Sequence, residues 1–341
     1  MIDFRYHLVS IVAVFLALAI GIVLGSTELQ GPTYNFLNRT TAKLQTELDQ
    51  ATSQRDTAQQ QASEGELYAQ AIEPAVLHNL LTGQRLLIVT EPGAQSSVVS
   101  GINSAAIEAG ATVTGQINLA PKFFDTSATT QDSLNQTTLD VAQTASITLD
   151  PSATYQQQAA QVIASEILTT SPASPNGQPA SDPGANAGTM LQAYAASQFL
   201  STTGQPATPA TLAIVVTPQN APSDGSADPL DQVLIPVVQE LAAKSSATVV
   251  AGSSSGSGAG SPIAVLRSNN VASQVSTVDD ADLVSGQTVA IQALAMLLGG
   301  GKAGSYGFAA NGATAVAPSP APTPTASPSA TSSATTKKAK K

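Results

Sequence analysis

The segment Leu8–Leu24, LVSIVAVFLALAIGIVL, constrains the rest of the chain more than any other feature. Its 17 residues carry no charge, Ser10 is their one polar side chain, and 22 residues separate Arg5 from Glu28 without an Asp, Glu, Lys or Arg. As a helix, such a run extends roughly 26–33 Å, about the hydrocarbon thickness of a bilayer. A helix on a globular core keeps a polar face, and this one has none. The apolar region of a cleavable signal peptide spans about 7–15 residues and ends at a small-x-small site. Here the run is longer, and Ala19-Ile20-Gly21 lies inside it, so residues 1–28 read as an uncleaved anchor. Gly21 and Gly25 are tolerable in such a helix. Arg5 precedes the span and Glu28 follows it. By the preference of Lys and Arg for the cytoplasmic side, the chain is expected to be single-pass with its bulk outside the cytoplasm.

Residues 29–75 are polar and rich in Gln, Glu, Thr and Ala, and read as a helical stalk. One heptad register places Leu37, Leu44, Ala51 and Ala58 at d and Tyr34, Thr41, Leu48, Arg55 and Ala62 at a. That spacing predicts a coiled coil with a thin seam, weakened by Arg55 and by Gly65 at the next d. Lys43 and Glu47 are spaced to pair along the helix, in the less favoured orientation. The expectation is a homodimer whose stalk lifts a head off the membrane.

Residues 80–311 alternate short apolar strands with helices. Arg85–Thr90 reads as a buried strand closed by the turn Glu91-Pro92-Gly93. Val98, Val99, Ile102, Ala105, Ala106 and Ala109 recur at helical spacing up to Gly110, and Ala111–Leu119 alternates as a strand. Tyr155–Leu168 reads as a helix, Leu212–Thr217 as a strand, and Leu230–Lys244 as a helix that Pro236 kinks or interrupts. Ala247–Ala251, Ile263–Leu266 and Val275–Val278 are expected strands, and Gln287–Leu298 a helix closed by Gly299–Gly301. The pattern predicts an α/β head of Rossmann-like type, with a mostly parallel sheet and helices on both faces. Ser171–Thr189, Ser201–Ala210 and the Gly/Ser-rich Gly252–Ser261 are expected to be mobile or flexible loops. Residues 312–341 are expected to form a disordered tail rich in Pro, Ser, Thr and Ala, ending in Lys337, Lys338, Lys340 and Lys341.

Composition narrows the chemistry. With 13 Lys+Arg and 23 Asp+Glu the net charge is −10, which disfavours a nucleic-acid partner. Absence of Cys excludes disulfides, cysteine nucleophiles and Cys-based zinc sites. Gly252-Ser253-Ser254-Ser255-Gly256 has the form of a nucleophile elbow, which needs a following helix and a later His. A strand is expected next, and His7 and His78 come earlier. Gly256, Gly258 and Gly260 resemble part of a dinucleotide loop, but again a strand rather than a helix is expected after them. Gly299-Gly300-Gly301-Lys302 departs from a phosphate loop at Met296 and Ala303 and reads as a helix terminus. Asp279, Asp280 and Asp282 offer carboxylates for a hard cation or a basic partner, and the preferred reading is an acidic start to the following helix. No catalytic, cofactor-binding or metal-ligating residue is therefore assigned, and the chain is read as no enzyme.

Met1–Gly25, MIDFRYHLVSIVAVFLALAIGIVLG, closely resembles the opening of the actinobacterial copper transport protein MctB family. The resemblance extends through the stalk, Leu86–Thr90, Ser276-Thr277-Val278-Asp279 and Tyr306-Gly307, covering roughly residues 1–311. It implies a cell-envelope protein in copper transport or copper homeostasis, with copper as the transported ion and no bound cofactor. A corynebacterial relative implies an alternative: a dimeric, membrane-anchored scaffold that regulates cell-wall hydrolysis and division through a membrane or cell-wall partner. Copper(I) prefers thiolate and thioether, copper(II) imidazole. Met1, Met190, Met296, His7 and His78 form no spaced cluster in the sequence. An outer-membrane barrel would show repeated ten-residue alternating strands, which this chain lacks.

Overall fold

The computed structural model describes residues 3–170, 184–219, 229–307 and 313–318. The chain divides into two compact units, Met1–Leu67 and Tyr68–Lys341. The expected anchor and stalk are one uninterrupted helix, α1 (Asp3–Leu77). Pro32 and Pro74 are the prolines within its sequence. Within the first unit the described side chains up to Gly65 are all exposed, Leu37, Leu44 and Leu48 included. Lys43 and Glu47 approach to 3.8 Å, and Arg55 pairs with its neighbour Asp56 at 2.7 Å.

In the second unit, Leu77 and Leu81 are buried. The chain then enters β1 (Arg85–Thr90), α2 (Ser96–Glu108) and β2 (Thr112–Leu119). Next come α3 (Pro121–Phe124), α4 (Ala128–Ala145), α5 (Tyr155–Ile167), α6 (Ala187–Ala196) and β3 (Leu200–Gly204). After β4 (Leu212–Val216), α7 (Pro229–Lys244) runs through Pro236, and β5 (Ala247–Ala251) follows. The remaining elements are α8 (Pro262–Arg267), β6 (Ser276–Val278), α9 (Val284–Leu298) and β7 (Ser305–Tyr306).

Among the described residues the strands form one sheet in the order β3-β2-β1-β4-β5-β6-β7. All neighbours are parallel except β2 and β3. Alternate strand residues feed two cores. Leu87, Val89, Ala213 and Val215 join Phe123, Phe124, Tyr194 and the apolar faces of α4 to α7. Leu86, Ile88, Ile214 and Val249 join Leu77, Leu81 and the apolar faces of α2 and α9 on the other side. Strands buried on both faces read as continuous apolar runs, as RLLIVT and LAIVV do.

Several expectations need correcting. Ile263–Leu266 is helical, part of α8; the Ser261 hydroxyl caps Ala264 N–H at 3.2 Å and Pro262 occupies the first turn. Ser-Pro before a four-residue apolar run is a helix start, and periodicity alone does not separate so short a helix from a strand. The expected loop Ser201–Ala210 contains most of β3. Gly252–Ser261 is packed rather than flexible: Ser253, Ser257 and Ser261 are buried, and Ser254–Gly256 forms a 3-10 turn. Helices α4 and α6 were not anticipated. The expected loop Ser171–Thr189 lies outside the described residues up to 183, and α6 begins within its end. The expected tail, residues 312–341 with its Lys-rich end, lies outside the described residues except for 313–318.

Candidate functional site

Three regions carry the candidate chemistry. The first is the apolar part of α1: Arg5–Gly25 is long and apolar enough to cross a membrane, and none of it is buried. Its 21 residues extend about 32 Å as a helix.

The second is the carboxyl edge of the sheet at β1 and β4, where the strand order reverses. Open α/β sheets bind ligands in the crevice at such a point. Here the protein's own backbone occupies it. Ala94 bridges to Pro218, Gln219 N–H donates to the Gly93 carbonyl at 3.2 Å, and Glu91 N–H donates to that of Val216 at 3.0 Å. The hydroxyls of Ser253 and Ser255 both donate to the Gln219 carbonyl at 2.8 Å. A Cβ on Gly256 would stand 2.5 Å from the Pro218 carbonyl oxygen, so glycine is needed for this approach.

The residues singled out in the sequence do not converge on one site. Ser254, centre of the elbow-like motif, gives its N–H and hydroxyl to one Asp282 oxygen at 2.9 and 3.0 Å. His78 is exposed and bonded to the Asn79 amide at 2.7 Å. The glycines 256, 258 and 260 do precede a helix, contrary to expectation, but α8 has six residues and its first turn is capped by Ser261. Gly299 caps α9 and Gly300 takes a left-handed φ of +80°, as expected of a helix terminus.

The acidic cluster separates into three environments. Asp279 forms a buried ion pair with Arg267 at 2.7 Å. The same guanidinium donates to Thr277 Oγ1 at 2.9 Å and the Tyr306 carbonyl at 2.8 Å. A Cβ on Gly307, whose φ is +128°, would overlap the Asp279 carboxylate. Asp280 is buried beneath Gly286, and its carbonyl accepts from Leu283 N–H at 2.9 Å. None of the three starts α9: its N-cap is Leu283 and its first turn holds no acid. The acidic-start expectation is thus corrected; the Asp279 and Asp282 carboxylates serve tertiary contacts that sequence spacing does not reveal. No group of three His, Cys, Asp or Glu residues gathers as a metal site among the described residues.

The third region escaped the sequence reading. A groove of about 440 Å³ lies between α2 and the β2–β3 edge, lined by Ser96, Ser100, Asn103, Gln116 and Thr203 over an apolar floor that includes Ile88. The spacing of Ser96, Ser100 and Asn103 marks one polar helix face, a signal available from sequence. Beside it, Thr90 donates to Asn118 Oδ1 at 2.8 Å, Gln116 donates to the same oxygen, and Asn118 reaches Ser201 at 3.3 Å. No charged side chain lines the groove.

A family model described as "Copper transport outer membrane protein, MctB" matches residues 1–318. The chain belongs to the MctB family. Proteins named Copper transporter MctB from Mycobacterium tuberculosis (strain H37Rv) and Mycobacterium bovis are each 28% identical over 326 residues, 94% of this chain and 100% of theirs. The Mycobacterium leprae protein of the same name is 28% identical over 325 residues, 93% of this chain and 99% of its own. With its apolar helix, this MctB-family chain is a membrane protein. Its methionine and histidine side chains stand apart: Met190 is buried in the core with Phe123 and Tyr194. The Met296 sulfur accepts from the Tyr306 hydroxyl at 3.8 Å, and His7 lies in the apolar segment. Met1 lies outside the described residues.

Proposed function

We propose that this protein acts in copper homeostasis of the cell envelope as a non-enzymatic, single-pass membrane protein with its bulk outside the cytoplasm. The match of residues 1–318 to the copper-transport family carries the process. The span Arg5–Gly25 behind Arg5 supports the anchor and its orientation. Copper is the cargo in this proposal. Its preferred thiolate, thioether and imidazole donors do not come together among the described residues, so no step is assigned to a copper cage in this chain. One helical span encloses no pore by itself. Homodimerisation through the heptad seam of Leu37, Leu44 and Leu48 is accordingly part of the proposal, as a coiled coil whose exposed leucines would be covered by a second copy. The strand order, with its reversal between β1 and β4, supports a Rossmann-like reading of the sheet. Among the described residues its usual crevice is bridged by Ala94 and Pro218, which favours a role in interaction over small-molecule turnover.

The test is deletion of the gene followed by measurement of cellular copper under copper load. Accumulation that the full chain reverses, and a chain with Leu16→Arg in the span does not, is the expected result. Unchanged copper refutes the proposal, and unchanged copper with defective septa transfers the function to cell-wall remodelling.

A further inference from the structure

The two edges of the sheet are treated differently. At one end, β7 is two residues long, and the following chain covers it: Tyr306 bridges to Ala315, Gly307 N–H donates to the Ala315 carbonyl at 3.2 Å and Thr314 N–H to that of Ser305 at 2.8 Å. At the other end, β3 pairs with β2 along one side and with no further strand among the described residues. Ser201, Thr202, Thr203 and Gly204 are all exposed. Proteins guard such edges with charge, proline or a bulge. None occurs within Leu200–Gly204. No Asp, Glu, Lys, Arg or His occurs anywhere from Pro183 to Ser223, in a chain of net charge −10.

We propose that the free edge of β3 receives β3 of a second copy of this chain, running antiparallel about a two-fold axis and continuing the sheet. Two acidic bodies repel, and the uncharged edge is where two copies approach with the least repulsion. An antiparallel strand pair is self-complementary, so one strand supplies both halves of an isologous contact. The Ser and Thr side chains of the two strands then lie in cross-strand rows, a favourable pairing. Five residues make a contact short of the ~800 Å² per partner of a standard interface, so the edge needs tethering. This inference therefore rests on the dimer reading above: two chains already held by α1 meet at high effective concentration.

The geometry fixes the test. A two-fold axis normal to the sheet keeps side chains of opposed residues on one face, so one residue of β3 faces its own copy. Directly opposed Cα atoms lie about 4.5–5.5 Å apart, within disulfide range. The chain has no Cys, so each introduced thiol is unique. Ser201→Cys, Thr202→Cys and Thr203→Cys are made singly in the full chain, reconstituted in lipid bilayers and oxidised with tetrathionate. Thr144→Cys, at an exposed position of α4, reports random collision, and Leu44→Cys reports the helix seam. One of the three β3 variants is expected to form the double-mass species at least tenfold faster than Thr144→Cys. If none exceeds that control, the inference is overturned, whatever Leu44→Cys does. Edge crosslinking with an unreactive Leu44→Cys keeps the strand contact and removes the helix seam; the reverse keeps only the seam.

Discussion

Replacing Arg267 by Ala should be among the most damaging single changes in the second unit. The Arg267 and Asp279 side chains are 5% and 1% exposed, so neither charge can turn to water when its partner is lost. Arg267 also satisfies Thr277 Oγ1 and the Tyr306 carbonyl, joining α8, β6 and β7 through one guanidinium. Breaking a buried pair by removing one partner costs about 3–5 kcal/mol, because the remaining charge stays buried. With a urea slope of ~3 kcal/mol/M, the midpoint falls by about 1–1.7 M. The full chain in detergent micelles is unfolded in urea and read by pulse proteolysis, which reports the second unit without the large helical signal of α1. Arg267→Ala and Asp279→Ala should each show the loss. Arg267→Met with Asp279→Leu should recover part of it, since two apolar side chains leave no orphaned charge. A midpoint shift under 0.3 M for both single variants, roughly 1 kcal/mol on that slope, would refute the assignment of a buried, mutually dependent pair.

Other consequences are open to direct measurement. Tyr194 donates to Thr138 Oγ1 at 2.9 Å inside the core, and burial raises its pKa well above the ordinary phenol value. Its contribution to stability is complete below the unfolded pKa near 10 and is lost as pH rises through the folded value; ultraviolet titration should show one tyrosine ionising only with unfolding. Asp125 is held below the usual carboxylate range by the Ser127 N–H and then by the Thr130 and Ser127 hydroxyls, and Asp150 by Ser152. Both groups favour the fold above the ordinary carboxylate pKa and lose that contribution as pH falls through their lowered values. Hydrogen-exchange protection factors at the start of α4, corrected for the intrinsic rate, should therefore fall in acid, and Asp125→Asn should remove most of that pH dependence. Gly115→Val should weaken the β2–β3 pairing, since a Cβ there would stand 2.6 Å from the Thr203 carbonyl; limited proteolysis around Thr203–Pro206 should speed up, and an unchanged rate would contradict the close packing.

The sequence was most legible where burial imposes a period. Leu212–Val216 and Ala247–Ala251 are apolar throughout because both faces are covered, and α2 shows its helical spacing in Val98, Ile102 and Ala105. Helix α4 was illegible because Ala128–Ala145 buries few side chains and is filled with Thr, Gln and Asp, poor signals for a helix that tertiary contacts stabilise. Strand β3 was illegible for the complementary reason: only Leu200 of its five residues is buried, so no alternation is written into it. At the sheet edge, the Ser-rich loop looked like a linker because its partner, the Gln219 carbonyl, lies far away in sequence.

The same long-range contacts bear on where function resides. In a parallel sheet the βα loops leave a cleft where the order reverses, and a small-molecule enzyme keeps that cleft open. Here Ala94 and Pro218 bridge it, and the Ser253–Gly256 turn closes over Gln219. Asp282, through Ser254, and Gly256 take part in that closure, and Asp279 forms the pair with Arg267 behind β6. Four of the exposed surfaces are apolar or uncharged: the span of α1, its leucine seam, the groove beside α2 and the edge of β3. Surfaces of that kind meet lipid or other protein surfaces. On the proposed reading recognition falls to these surfaces, while the crevice that similar sheets reserve for ligands is bridged, among the described residues, by this chain's own backbone.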